Sequence, residues 1–126
     1  MRWDTLQSLL LITKNEKNER QDPSSSQTAT DVVMVEVGVW LAQLSRIMFE
    51  CEQWTDDLIY IGVDPYIGGD GTFPPELEQL DPVEVRQHAQ AVFDEIGGKR
   101  AHLWVSSSAD AARDIPLGSV DIVSLY

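Results

Sequence analysis

The chain has 126 residues, 43% of them hydrophobic, which is enough for one domain around a single core. A formal charge of −12 and a pI near 4.3 argue against a nucleic-acid phosphate backbone or an anionic membrane as the partner surface. Cys51 is the only cysteine, so no internal disulfide forms, and a reducing compartment such as the cytoplasm is the expectation.

No apolar run approaches the length that spans a bilayer. Leu9-Leu10-Leu11-Ile12 is too short for a signal core and no small-residue cleavage site follows it. Residues 1–13 put Trp3, Leu6, Leu9 and Leu10 on one helical face. They read as an amphipathic helix that covers the core of the domain or docks on a partner. Residues 14–30, KNEKNERQDPSSSQTAT, hold charge, Ser and Pro and no aliphatic side chain larger than alanine, the composition of a flexible linker. The folded domain is then expected over residues 31–126.

That domain opens with Val32-Val33-Met34-Val35, a β-branched run suited to a strand buried on both faces. Glu36 and a Gly38 turn follow. A helix comes next, with Leu41, Leu44, Ile47 and Met48 at spacings of three and four. Glu52 to Asp57 is a polar connection, with Trp54 lying back on that helix. Leu58 to Val63 is a second buried strand ending in Asp64-Pro65. Residues 66–81, with three glycines and adjacent prolines, read as a surface excursion long enough to act as a lid or binding wall.

Asp81-Pro82-Val83-Glu84 is a helix start: a carboxylate cap, proline at the first helical position, and an acid three residues after the cap. Val85, Ala89, Val92, Phe93 and Ile96 form its inward stripe, and Gly97-Gly98 ends it. Ala101 to Val105 is a third strand, residues 109–114 a brief helix, and residues 120–125 a fourth strand. Helix and strand alternate over connections too long for hairpins. The fold class is therefore α/β, a Rossmann-like parallel sheet of about four strands with flanking helices.

Ligands of such sheets bind beyond the carboxyl ends of the strands, where the strand order reverses. Glu36, Asp64 and the Ser107-Ser108 corner fall at three such ends. Asp64 stands where an acid closing the second strand can accept hydrogen bonds from ribose hydroxyls. Glu36 can alternatively cap the following helix. His88 and His102 have no Cys or acid at ligand spacing, so no metal site is expected. The serine run lacks the Gly-x-Ser-x-Gly elbow of a hydrolase.

In order along the chain, VVMVEVGVWLAQLSR, YIGVDPY, HLWVSSSADAA and GSVDIVSL resemble the first half of a class I S-adenosylmethionine-dependent methyltransferase. The resemblance covers residues 32–125. It implies an incomplete class I methyltransferase fold, lacking the C-terminal strands that carry much of the substrate pocket. It also implies S-adenosylmethionine as cofactor. Glu36 and Gly38 would lie beside its methionine part, and Asp64 would hold the ribose hydroxyls. Pro65 and Tyr66 would lie against the adenine, and Ser107, Ser108 and Ala109 would border that ring. Asp121 matches an acid that opens the fourth strand and serves structure. The family pattern has glycine where this chain has Ala42, an acid at Ser107 and, in metal-dependent members, Asp at Tyr126.

The resemblance names no catalytic residue and no methyl acceptor. The competing expectation is a truncated or degenerate domain that acts as a binding or interaction module. A dinucleotide binder is disfavoured because no full G-x-G-x-x-G follows the first strand. An incomplete sheet should leave an edge strand open to self-association.

Overall fold

A computed structural model describes residues 32–67, 75, 76, 79–116 and 118–125. The expected N-terminal helix and linker, Asp31, most of the 66–81 excursion and Tyr126 lie outside the described residues. Among the described residues, four strands form one sheet: β1 (Val32–Val37), β2 (Leu58–Asp64), β3 (Ala101–Val105) and β4 (Ile122–Leu125). All pairings are parallel, and the spatial order is β3-β2-β1-β4. The described α-helices are α1 (Gln43–Glu50), α2 (Pro82–Val92) and α3 (Ser108–Asp114).

Because successive side chains of a strand point to opposite faces, each strand feeds two cores. Val32, Met34, Leu58, Tyr60, Ala101 and Ile122 share the first face with Met48 and Phe49 of α1 and with Val85, Ala89 and Val92 of α2. Val35, Ile61 and Val63 share the second face with Ala111 of α3. The chain steps outward from β1 to β2 to β3, then returns across the sheet to β4. A constant crossover hand puts the returning helix on the face opposite its predecessors. The reversal falls at β1, between β2 and β4.

Asp81 caps α2 as its sequence requires, its carboxylate accepting from the Val83 amide at 2.9 Å with Pro82 behind it. The inward stripe of α2 continues into a π-helical turn, Phe93–Gly97, which brings the Phe93 ring onto the sheet. Gly62 makes room for that ring: a Cβ there would meet Phe93 Cζ at 2.6 Å and Val39 Cγ2 at 2.8 Å. Phe49, Tyr60 and Phe93 stack edge to face with centroids 5.1 to 5.9 Å apart, and Trp54 closes on Phe49 at 4.8 Å. Trp54 thus lies back on α1, as expected.

The α1 stripe differs from expectation. Ile47 is 40% exposed, while Ala42, Ser45, Met48 and Phe49 are the buried positions. The helix begins only at Gln43, after a tight turn, so its phase is set later than the Leu41 start predicted. At the other end of the sheet Asp121 clasps β1: its carboxylate accepts from the Val33 amide at 2.9 Å while its own amide donates to the Val33 carbonyl at 2.9 Å. No described helix is long and apolar enough to cross a membrane.

Candidate functional site

The reversal point at β1 decides where a site can form, because the loops leaving β1 and β2 meet there. After β1 the chain turns through Gly38 (φ 88°), Trp40 (φ 50°) and Ala42 (φ 62°), three left-handed residues within five positions. The Gly38 amide extends the β1–β2 ladder by donating to the Val63 carbonyl at 2.9 Å. Only glycine takes such angles without strain, so Trp40 and Ala42 are held there by their surroundings. Ala42 occupies the position where the resembled family has glycine, and its backbone has a conformation glycine favours.

What holds the turn is Asp64. Its Oδ2 accepts from the Trp40 amide at 3.0 Å and its Oδ1 from the Tyr66 amide at 2.8 Å. The Tyr66 hydroxyl donates back to the Trp40 carbonyl at 2.8 Å. Tyr66 is itself left-handed (φ 51°), so the turns after β1 and β2 are locked to one another. Burial raises the Asp64 carboxyl above its ordinary range, and the amides of Trp40, Tyr66 and Val39 pull it back down.

Glu36 sits two residues before the turn, on the first face, 3% exposed. Its Oε1 accepts from Ser45 Oγ at 2.5 Å and from the Tyr60 hydroxyl at 2.6 Å. The carboxylate therefore ties β1 to the body of α1 and to β2. It does not reach the amides at the helix start, so the capping alternative is replaced by a side-chain bridge. Burial pushes the Glu36 carboxyl up to about 7; the two hydroxyl donors oppose that rise and the Asp64 charge adds to it. Burial and the Glu36 charge also push the Tyr60 hydroxyl up. Ser124 of β4, in register with Glu36, is buried on its other flank.

The third strand end contributes differently. The Ser106 amide donates to the Asp64 carbonyl at 3.1 Å, joining β3 to the rim. Ser107 Oγ accepts from the Asp110 amide at 3.1 Å and so caps α3. Ser107, Ser108 and Ala109 are all exposed. Glu36, Gly38, Asp64, Pro65 and Tyr66 thus cluster at adjacent strand ends, with Ser107 to Ala109 at the end of the next strand along. Sequence reasoning missed Ser45 and Tyr60. The available signal was Ser45 itself, a polar residue three positions from both Ala42 and Met48 on the buried side of α1.

An adenosyl cofactor can be tested against this rim. Asp64 stands at the end of β2, beside the reversal point, where a ribose diol would be held. Asp64 is, however, 2% exposed, and its carboxylate already accepts from the amides of Trp40 and Tyr66. A carboxylate has about four acceptor positions, so two remain by count, but burial closes them to ribose hydroxyls in this arrangement. Among the described residues, no group of three or more His, Cys, Asp or Glu could hold a metal ion. No family model matches the sequence, and no curated protein or solved structure matches it either.

Proposed function

We propose that this chain is a methyltransferase-like α/β domain that takes S-adenosylmethionine at the rim formed by β1, β2 and β3. The observation that supports this reading is the placement of Glu36 and Asp64 at the ends of neighbouring parallel strands, beside the point where strand order reverses. The motif order along residues 32–125 points the same way. Binding would require the turn through Trp40 to move and open the buried Asp64 carboxylate to ribose hydroxyls. No residue is assigned a catalytic role.

A second reading is favoured by the committed state of Asp64: a degenerate domain in which that carboxylate only organises the turn and the module binds partners without cofactor. Calorimetric titration of the full chain with S-adenosylmethionine, and separately with NAD, distinguishes the two. Saturable binding of the first ligand alone, lost in Asp64→Asn with the fold retained by circular dichroism, supports the cofactor reading. A folded, monodisperse sample that binds neither ligand supports the degenerate module.

A further inference from the structure

A hollow of about 300 Å³ opens on the second face of the sheet, beside α3. β1 and β2 bring Val35, Val37 and Val63 to it, α3 brings Ala111 and Ala112, and β4 brings Val123. Folded interiors hold few voids larger than a water molecule, so a space of this size is unusual. It exists because α3 turns alanines toward it where larger side chains would fill the gap. Glu36 lies between the two β1 valines but points to the opposite face, where it is tied to Ser45 and Tyr60. Of the rim residues, only Ser108 also lines the hollow.

We propose that this hollow binds a flat, uncharged aromatic molecule of two fused rings. Size sets the upper limit. An apolar cavity of about 150 Å³ holds a benzene ring, so one of twice that volume takes about ten carbon atoms. The volume also stands at the lower end of the range for small-molecule sites, which are lined mainly by apolar side chains with few polar groups. Covering Val123, which is 50% exposed, supplies part of the hydrophobic driving force.

Polarity sets the class. The described lining carries no ionisable side chain, and the Ser108 hydroxyl is its only side-chain hydrogen-bonding group. An anion would enter without a counter-charge, into a chain of formal charge −12. A cation would lose its water to an apolar surface that holds no acid. A single hydroxyl on the guest matches Ser108. A second copy of the chain is the poorer occupant. β4 offers four residues at the sheet edge, about 13 Å of strand, while a stable interface buries about 800 Å² on each partner. Two chains of charge −12 also repel one another.

Methyl-resolved NMR titration of the full chain with 2-naphthol, uncharged at neutral pH, tests this, with 2-naphthoate as the anionic control of the same ring system. The expected result is a saturable shift of the Val35, Val37, Val63, Ala111 and Val123 methyls, with a dissociation constant on the order of 0.1 mM. 2-Naphthoate should bind about tenfold more weakly or less. Ala112→Phe and Val123→Phe each place a ring in the hollow and should weaken 2-naphthol binding by about tenfold or more, with the fold retained by circular dichroism. Ile47→Phe, at an exposed position on α1 outside the lining, should leave binding unchanged. No saturable shift of the named methyls up to about 1 mM 2-naphthol would overturn the proposal. Unchanged binding in either filled variant that folds would do the same, as would equal binding of 2-naphthoate. Methyl shifts that grow with protein concentration in the absence of ligand would overturn it too, and would assign the hollow to a second copy.

Discussion

The Tyr60 hydroxyl donates to Glu36 Oε1 at 2.6 Å across the β1–β2 pair, and Ser45 Oγ donates to the same oxygen from α1. One carboxylate thereby joins two strands and a helix at a point 3% exposed to solvent. Its ionisation is linked to folding. The carboxyl rises from 4.5 to about 7 on folding, so between those values the folded chain binds more protons than the unfolded one. Stability is then fully present below about pH 4.5 and is lost as pH rises through about 7, a change on the order of 3 kcal/mol. Asp64 shifts in the same direction, so its contribution has the same sign. Glu36→Gln should flatten the dependence of unfolding free energy on pH between 5 and 8. Denaturant titrations at both ends of that range check it; an unchanged slope assigns the effect elsewhere.

Tyr60→Phe removes a donor that favours the ionised carboxylate, so the Glu36 carboxyl should move still higher. The substitution should therefore destabilise the chain more at pH 8 than at pH 5. Urea unfolding at the two pH values reads the difference directly. Equal losses would mean that the hydroxyl contributes packing alone.

Gly62 has no room for a methyl group, since Phe93 Cζ and Val39 Cγ2 lie within 2.8 Å of where one would sit. Gly62→Ala should lower stability by about 1–3 kcal/mol, the usual range for overpacking a core. Adding Phe93→Leu should recover part of that loss, because the closest clash is with the ring. Thermal unfolding of the single and double variants measures both effects.

Ala42 lies in the left-handed region yet is fully buried. Replacing it by glycine relieves a strain of about 1–2 kcal/mol and gives up a buried methyl worth about 0.8 kcal/mol. Ala42→Gly should thus stay within about 1 kcal/mol of the parent. Ala42→Val, β-branched at a positive φ, should be clearly destabilised. Chemical denaturation of the pair separates backbone strain from side-chain burial.

Asp64 holds the turns after β1 and β2 through the amides of Trp40 and Tyr66. Asp64→Ala should cost about 1.5–3 kcal/mol for each charged hydrogen bond left unmade, less what local relaxation recovers. The sharper readout is amide hydrogen exchange at Trp40 and Tyr66, which should lose protection while the centre of β2 keeps it. Retained protection at both amides would assign the order of the turn to other contacts.

The four strands were legible because a parallel sheet covered by helices favours short, mostly apolar runs, β-branched in VVMV and LIYIGV and mixed in AHLWV and the 120–125 segment. The start of α2 was legible because Asp81-Pro82 states its cap chemistry outright. The burial phase of α1 was not. Three left-handed residues before Gln43 reset the helix, and no local pattern announces them at Trp40 and Ala42. The rim was readable as a set of strand-end carboxylates. Their hydrogen-bonding state was not, because it rests on backbone amides of a turn distant in sequence. Gly62 was hidden for a related reason: the ring that needs its space arrives from a π-helical turn 31 residues later.

The order β3-β2-β1-β4 has a consequence for how the chain is made. β1 emerges first, and one of its flanks pairs as soon as β2 has been synthesised. Its other flank waits for β4, the last of the four described strands. Through the whole translation of α2, β3 and α3, this interior strand of the described sheet offers an open row of amides and carbonyls to the ribosomal surroundings. A nascent chain in this position invites chaperone attention or mispairing with a neighbour on the same message until residues 122–125 leave the exit tunnel.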